Sequence, residues 1–240
     1  MNKESKEMFN YLSKSTMQGI FSGVCVGLGA LVSTIALTGN TSFGMGKLIA
    51  SAAFSAGLIM SFMASGKLYT GMCAFITRDM DKGIHPVTIL LNLMLAWTSN
   101  FLGALMLVIF TFPVLDNVAK TFINIGVVKT SLSSGDMFFK AFLCNLLVCL
   151  AVIMARKAKS LIDLVVAIGI PVTVFVVCGF EHSVANMFYL SMAKLCGAPI
   201  TSIALLKSII MVTFGNFIGG FYMSVYANSL GEFEEEKKGE

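Results

Sequence analysis

Long apolar stretches without charge are the feature that most constrains the fold of this chain. The runs from Gly83 to Thr111 and from Leu164 to Phe180 contain no Lys, Arg, Asp or Glu. A helix needs about 20 predominantly apolar residues to cross the hydrocarbon core of a bilayer. Six regions, the second and fifth of them interrupted, predict an all-α membrane protein with six transmembrane helices. They are approximately 17–38, 48–77, 86–112, 138–155, 162–193 and 201–228.

The composition agrees with a single transmembrane domain over residues 1–240. Hydrophobic residues make up 56% of the sequence and charged residues only 12%, whereas soluble domains average about 25% charged residues. No small-residue cleavage site follows the first apolar run, so we interpret that run as a first span rather than a secretory signal. Residues 229–240 are acidic, and we expect them to form a solvated cytoplasmic tail.

Basic residues predict the orientation of the six spans, because cytoplasmic connections carry an excess of Lys and Arg. Six spans place both termini and the 78–85 and 156–163 connections on one side, with ten basic residues against six on the other. The sequence thus favours cytoplasmic termini in the cell membrane, and its net charge of +4 needs no nucleic-acid partner. The ten are Lys3, Lys6, Lys14, Arg78, Lys82, Arg156, Lys157, Lys159, Lys237 and Lys238.

Two ionisable residues, Glu181 and His182, interrupt the fifth apolar region. An ionisable group at bilayer depth costs about 2.5–3.5 kcal/mol even on the most lenient insertion scale, and such residues usually line a substrate or ion pathway. The sequence therefore indicates that something polar crosses the membrane here. An enzyme would need a second catalytic group near this pair, and a cation channel would need rings of acidic residues. Apart from Asp163 at the very start of the fifth region, Glu181 is the only acid in the spans, so neither class is favoured.

The cysteines and histidines give no sign of a metal or another cofactor. The six cysteines occur singly in apolar surroundings without a Cys-x-x-Cys pair, as expected for small buried hydrophobes. Only two histidines are present, and His85 directly precedes Pro86 at the start of the third span. We expect His85 to be a cap or loop residue rather than a ligand.

The two halves of the chain resemble each other. The third span contains Asn100-Phe101-Leu102-Gly103 and the sixth contains Asn216-Phe217-Ile218-Gly219, an offset of 116 positions. The interruptions at 65–71 and 179–183 match at nearly the same offset, with Thr70 and His182 112 positions apart. Each half has three spans, an odd number, so the second half must insert upside-down relative to the first. The sequence predicts inverted repeats over about 17–112 and 138–228, with a site where the broken helices meet.

A broken span has physical consequences of its own. Backbone groups freed by a break cannot face lipid unsatisfied, so such segments survive only against protein or a polar cavity. Each break also exposes the N-terminus of a half-helix, which carries about half a positive charge and attracts anions. We therefore expect breaks near Thr70 and His182 that lie inside the protein and form an electropositive waist.

Four motifs resemble those of the formate/nitrite transporter family of small-anion channels. They are Leu68-Tyr69-Thr70 in the second span, Asn145 to Val152 in the fourth, Phe180 to Phe188 in the fifth and Gly215 to Gly220 in the sixth. The resemblance implies an aquaporin-like fold and a homopentamer in a lipid bilayer, with one pore in each protomer. The function it implies is passage of a small monovalent anion, with no enzymatic activity.

The resemblance also implies positions in the pore, which would have two apolar constrictions around a polar chamber. The cytoplasmic constriction would contain Phe54, Leu58 and Phe175. The periplasmic constriction would contain or adjoin Leu68, Tyr69 and Val148. The polar positions would be His182, Thr70 and Asn216, with Lys129 beneath the outer vestibule and Glu181 behind the histidine. From the residues alone, ordinary helix packing explains Phe54, Leu58, Phe175 and Val148 equally well.

The substrate stays open between formate, nitrite and hydrosulfide. Tyr69 replaces the usual Phe, and Lys67 stands where many members have an acidic or small residue, so either could alter the anion preference. His182, with an ordinary pKa of about 6.5, could lend a proton to the anion, or it could stay neutral and only donate a hydrogen bond. A pore for neutral solutes of the aquaglyceroporin type is the alternative outside anion transport.

Overall fold

The computed structural model describes residues 3–39 and 42–233, and these residues form helices joined by turns, without a strand. Most of the predicted acidic tail, residues 234–240 with Lys237 and Lys238, lies outside the described residues. The helices are α1 (Lys3–Leu37), α2 (Phe43–Met63), α3 (Tyr69–Met72), α4 (Ile76–Asp81), α5 (Pro86–Thr111), α6 (Ala119–Ser131), α7 (Ser134–Arg156), α8 (Leu161–Val177), α9 (Ser183–Leu195) and α10 (Ser202–Ser229).

Five helices in the described residues are long and apolar enough to cross a membrane. They lie in Ser5–Leu37, Gly44–Met63, Pro86–Val114, Ser134–Arg156 and Ser202–Ser229. The fifth predicted region is divided into α8, a 17-residue apolar helix, and α9, which has 13 residues. The prediction of an all-helical, multi-pass membrane protein is confirmed.

Both predicted interruptions are present. The first break, residues 64–68, separates α2 from α3, and the second break, residues 178–182, separates α8 from α9. Each contains one residue with positive φ: Ser65 at 56° and Gly179 at 69°. Such a φ cannot continue a right-handed helix. The chain is exposed at Ser65, near the start of the first break, and fully buried at Thr70, just after it. His182, the last residue of the second break, is only 2% exposed.

Glycines allow two helix pairs to pack at backbone contact distance. A Cβ on Gly103 of α5 would lie 2.0 Å from the carbonyl oxygen of Ile20 in α1. A Cβ on Gly219 of α10 would lie 2.3 Å from the carbonyl oxygen of Phe142 in α7. Small residues at such contacts are typical of helix association in membranes, where close backbone packing replaces the hydrophobic effect. The glycine of each Asn-x-x-Gly motif thus allows its helix to lie against the backbone of a neighbouring helix.

Local caps explain where several helices begin. His85 accepts a hydrogen bond from Val87 N at 3.3 Å, and Pro86 occupies the first helical position of α5, so the expectation of a capping histidine is confirmed. Ser160 and Asp163 form a capping box at the start of α8. Helix α6 was not predicted, because its apolar residues are too few for a span. It packs through Phe122 and Gly126, the latter against Ala193 of α9.

The molecule has two ends that the connections define. We call the end with the 82–85 and 157–160 connections the terminal face, because Asn228 near the end of α10 donates to Asp81 there at 2.9 Å. Glu232 forms an ion pair with Lys157 at the same end. We call the opposite end, which holds α6 and the α1–α2 connection, the α6 face. There Thr38 and Thr121 share a hydrogen bond of 2.9 Å.

Candidate functional site

Asn100 holds the first break from within α5. Its Oδ1 accepts a hydrogen bond from Tyr69 N at 2.9 Å, the first amide of α3. Its Nδ2 donates to the carbonyl oxygens of Lys67 and of Gly19 in α1, both at 2.8 Å. The first amides of a helix have no partner within the helix. A buried carboxamide therefore satisfies an amide that could not face lipid.

Asn216 holds the second break in the same way from within α10. Its Oδ1 accepts from Ser183 N at 2.8 Å, the first amide of α9. Its Nδ2 donates to the carbonyl oxygens of Glu181 at 2.9 Å and of Ala141 in α7 at 2.8 Å. Each asparagine thus connects the amide after its break, the carbonyl two residues earlier and a neighbouring helix.

The two breaks meet at Thr70 and His182. Thr70 Oγ1 lies 2.9 Å from His182 Nε2, and both side chains are buried. His182 Nδ1 accepts a hydrogen bond from Ala185 N at 3.1 Å. A backbone N–H can only donate, so Nδ1 carries no proton and the proton of the neutral ring lies on Nε2. The histidine therefore donates to Thr70 and caps α9. Its ring stacks on Phe175 at 5.9 Å between centroids.

Glu181 and Lys129 form a buried ion pair beside the second break. Lys129 Nζ lies 2.9 Å from Glu181 Oε2 and 3.0 Å from Oε1, and the two side chains are 16% and 5% exposed. Asn186 Nδ2 donates to Oε2 at 2.7 Å. Removing one member of a buried ion pair is strongly destabilising, because it leaves the other charge buried without a partner. Lys129 lies in the last turn of α6, so a helix that was not predicted positions a residue that was predicted to belong to the site.

The expectation that two half-helix ends attract an anion stays a prediction. Helix α3 has four residues and continues without a gap through a 3₁₀ turn, Cys73–Phe75, into α4. At the start of α9, Ser183 N donates to Asn216 and Ala185 N to His182, while Asn186 N donates to the carbonyl oxygen of His182. These amides already have protein acceptors, so they are not open to a ligand.

A cavity of about 370 Å³ opens toward the α6 face and reaches the second break. Among its lining residues are Lys47, Lys129, Lys140, Phe54, Phe175 and His182. The rings of Phe54 and Phe175 meet edge to face with centroids 5.9 Å apart. This larger cavity is therefore lined by three basic side chains and by the two packed rings of Phe54 and Phe175.

A smaller cavity of about 140 Å³ lies toward the terminal face and is mostly apolar. Leu58, Leu68, Met72, Phe75 and Val152 line it. Phe75 marks its position in the fold, because the guanidinium groups of Arg78 and Arg156 at the terminal face lie 4.3 Å and 5.1 Å from the ring centroid.

The assignment of Leu58 to the same constriction as Phe54 and Phe175 is wrong, whereas the side of the membrane on which each constriction lies stays a prediction. Phe54 and Phe175 line the cavity on the α6 face, which the predicted topology puts outside, and Leu68 lines the cavity on the terminal face. Leu58 lines the same cavity as Leu68 rather than that of Phe54. The physical reason is the length of α2: its 21 residues rise about 31 Å. The helix therefore crosses nearly the full membrane before the first break.

Tyr69 and Val148 line neither cavity. Tyr69 is buried, and its hydroxyl donates to the carbonyl oxygen of Thr213 in α10 at 3.3 Å. Val148 is fully buried. Lys67 lines the smaller cavity, but its Nζ donates to Ser15 Oγ at 3.0 Å and lies 4.8 Å from the ring centroid of Tyr11. The two residues that depart from the usual motif thus make contacts with α10 and α1.

Comparison with known proteins decides the family. The family profile described as formate/nitrite transporter matches residues 1–229. The chain belongs to the formate/nitrite transporter family. A probable formate transporter of Methanothermobacter thermautotrophicus is 30% identical, over 87% of this chain and 85% of the relative. A formate channel of Bacillus thuringiensis is 33% identical, over 84% and 80%.

A solved structure agrees with this family assignment. A pentameric formate channel with formate bound has a TM-score of 0.80 and 26% identity, and the match covers 92% of this chain and 97% of that one. The relatives are named as transporters or channels, which points to a protein that is not an enzyme. Among residues 3–39 and 42–233, no three His, Cys, Asp or Glu side chains cluster closely enough to hold a metal ion.

Proposed function

We propose that this protein is a channel for small monovalent anions, with formate as the first substrate to test and nitrite and hydrosulfide as alternatives. The observation that carries the proposal is the contact between the two breaks, where His182 donates to Thr70 between the two cavities. A buried donor at that point can bind a carboxylate or nitrite oxygen in place of Thr70. The relatives named as formate transporters support the same substrate class.

The proposed architecture is a single transmembrane domain with six spans in two inverted repeats, as in aquaporins. α8 and α9 together would make the fifth span, and α2 with α3 and α4 would make the second. The equivalent hydrogen bonds of Asn100 and Asn216 support this arrangement, as do the equivalent contacts of Gly103 and Gly219. Five protomers would assemble with one pathway in each, by analogy with the solved formate channel, which is pentameric.

The proposed orientation places the terminal face in the cytoplasm and the α6 face outside the cell membrane. The excess of basic residues around the terminal face supports it. An anion would then enter the larger cavity from outside, pass Phe54 and Phe175, meet His182 and leave past Leu58 and Leu68. Apolar residues on both sides strip water from the ion, which is costly unless polar groups replace part of the hydration. His182 would supply such a group midway.

We propose that His182 stays neutral during passage and does not relay a proton. A second proton would have to bind Nδ1, whose lone pair already accepts from Ala185 N. Protonation would therefore break the cap of α9 and place two donors against one amide. The alternative of a pore for neutral solutes is not favoured by the family match.

The experiment that tests the proposal is a flux assay on proteoliposomes with formate, nitrite, hydrosulfide and glycerol, with protein-free liposomes as the control. We expect formate to pass faster than glycerol and the flux to scale with the amount of protein. Passage of glycerol without any of the three anions would overturn the anion assignment. The same preparation can be weighed in detergent, where a pentamer is expected and a stable monomer or tetramer would contradict the proposed assembly.

A further inference from the structure

Leu68 is the apolar side chain of the first break that lines the smaller cavity, and the backbone on both sides of it is bonded. Asn100 Nδ2 donates to the carbonyl oxygen of Lys67 at 2.8 Å, and Asn100 Oδ1 accepts from the amide of Tyr69 at 2.9 Å. Leu68 therefore lies between two neighbours that are both held by one asparagine. Whatever fixes these two neighbours also fixes the depth and the direction of Leu68.

The side chains of the same two neighbours reach two other helices. Lys67 Nζ donates to Ser15 Oγ in α1 at 3.0 Å. The hydroxyl of the buried Tyr69 donates to the carbonyl oxygen of Thr213 in α10 at 3.3 Å. Leu68 is thus surrounded by contacts to α1, α5 and α10. Of these contacts, the one made by Tyr69 ties the first break to the second half of the chain.

Thr213 is itself held by a contact between corresponding positions of the two halves. Its Oγ1 accepts from Trp97 Nε1 in α5 at 2.9 Å. Trp97 and Thr213 are 116 positions apart, which is also the offset between Asn100 and Asn216. The two helices that hold the breaks therefore contact each other one turn before their asparagines. The acceptor of Tyr69 thus lies on a part of α10 that is fixed to α5.

The second break has no such anchor at the corresponding residue. Ser183 corresponds to Tyr69, because each donates its amide to the asparagine that holds its break. The buried hydroxyl of Ser183 has no hydrogen-bond partner within the described residues. The side chain that anchors the second break is Glu181, which is paired with Lys129. A neutral hydrogen bond is weaker than a charge-assisted one, so the first break is anchored by the weaker of the two contacts.

We propose that Tyr69 is a positioning residue that sets the width of the anion pathway at Leu68. The assignment deepens the proposed function and rests on it. While the hydroxyl is bonded to Thr213, Leu68 stays in place and leaves room for an anion of the size of formate. Without this bond the first break shifts away from α10 more readily, and Leu68 moves aside for a larger carboxylate. Tyr69 therefore acts on selectivity by size, although it lines neither cavity.

The first experiment measures the initial fluxes of formate and acetate into proteoliposomes and compares their ratio between variants. Tyr69→Phe removes the hydroxyl and keeps the ring. We expect the acetate-to-formate ratio to rise about two- to tenfold, the range to which the loss of one hydrogen bond corresponds. Tyr222→Phe is the matched control, because Tyr222 is an exposed tyrosine of α10 that lines neither cavity. Equal ratios in Tyr69→Phe and Tyr222→Phe would overturn the positioning role.

Two further variants separate the Tyr69 bond from a general loosening of the helices. Thr213→Val removes the hydroxyl that accepts from Trp97 and keeps the carbonyl oxygen that accepts from Tyr69. We therefore expect its acetate-to-formate ratio to stay close to that of the wild-type protein. Leu68→Ala widens the pathway directly and should raise the ratio at least as much as Tyr69→Phe does. A Thr213→Val ratio as high as that of Tyr69→Phe, or an unchanged ratio in Leu68→Ala, would contradict the assignment.

A second readout does not depend on transport. Hydrogen exchange followed by mass spectrometry compares the peptides that contain the two breaks, 64–72 and 178–186, in detergent. Tyr69→Phe should speed exchange severalfold in the first break and leave the second unchanged, because the second is anchored by Glu181 and Lys129. Unchanged exchange in the first break would refute the anchoring role. If the wild-type protein passes no formate, the proposed function fails, while exchange still decides whether Tyr69 anchors the first break.

Discussion

The two breaks share one backbone design and differ in chemistry. In each, a buried asparagine accepts from the first amide after the break and donates to the carbonyl two residues earlier. The first break leads from Leu68 to the buried Thr70 at the start of α3, and its one charged residue, Lys67, donates to Ser15 of α1. The second carries Glu181 and His182, tied to Lys129 and Ala185.

This difference teaches that the repeat supplies a scaffold and that function comes from what each half places on it. The first break contributes an apolar side chain and a hydroxyl that accepts a hydrogen bond. The second contributes the donor and the charges around it. Two breaks with the same hydrogen-bond pattern therefore border different cavities, a basic one on the α6 face and an apolar one toward the terminal face.

The largest expected effect tests the shared design. Asn100→Leu and Asn216→Leu each remove three hydrogen bonds and leave buried amide and carbonyl groups unpaired. At about 1–3 kcal/mol for each unpaired group, we expect both variants to lose most folded protein, as measured by monodispersity and thermal unfolding in detergent. Asn92→Leu, which removes one exposed hydrogen bond to Tyr11, is the control. A severe effect at one asparagine and none at the other would break the equivalence of the two breaks.

A smaller effect is expected at the paired glycines. Gly103→Ala and Gly219→Ala place a Cβ 2.0 Å and 2.3 Å from a backbone carbonyl oxygen of the neighbouring helix. The helices must separate, and we expect each variant to destabilise the protein by about 1–3 kcal/mol. Gly44→Ala is the control, since nothing lies within 4 Å of its added Cβ. The thermal midpoint provides the measurement. If both positions tolerate alanine as Gly44 does, the close helix contacts are not part of the shared design.

The smallest effect on stability, and the most specific effect on function, concerns the contact between the breaks. Thr70→Val keeps the shape of the side chain and removes the acceptor of His182 Nε2. We expect about a tenfold change in formate flux, because one buried hydrogen bond of about 1.4 kcal/mol corresponds to that factor.

The ratio of His182→Asn flux to wild-type flux should stay constant between about pH 5.5 and 8. A ratio that changes with pH would show that the histidine titrates and would contradict the neutral role.

Parts of this structure were accessible from the sequence for clear physical reasons. The breaks could be predicted because polar residues inside apolar runs are rare, and the Asn-x-x-Gly repeat marked the residues that hold them. Helix α6 was missed because it carries too few apolar residues for a span and is stabilised by tertiary contacts of Phe122 and Gly126.

The depth of each pore residue in the membrane was the second feature that the sequence did not predict. A motif gives the order of pore residues along the chain, but Phe54 and Leu58 differ in depth by the rise of one helical turn, about 6 Å for four residues. That rise is enough to place them on different cavities. Lys140 could have been predicted as a cavity residue, because it is a basic residue within the fourth predicted span. Lys47 lies outside the predicted spans, so the sequence did not distinguish it.

One measurement tests most directly whether the anion passes through the larger cavity inside each protomer. Formate flux into proteoliposomes is recorded before and after reaction of Cys178 with a bulky anionic thiol reagent, with labelling confirmed by mass spectrometry. Cys178 is exposed at that cavity, whereas Cys25, Cys73, Cys144 and Cys149 are buried. The account predicts a large fall in flux for the wild-type protein and no comparable fall for Cys178→Ser. Full labelling of Cys178 with unchanged flux would contradict it.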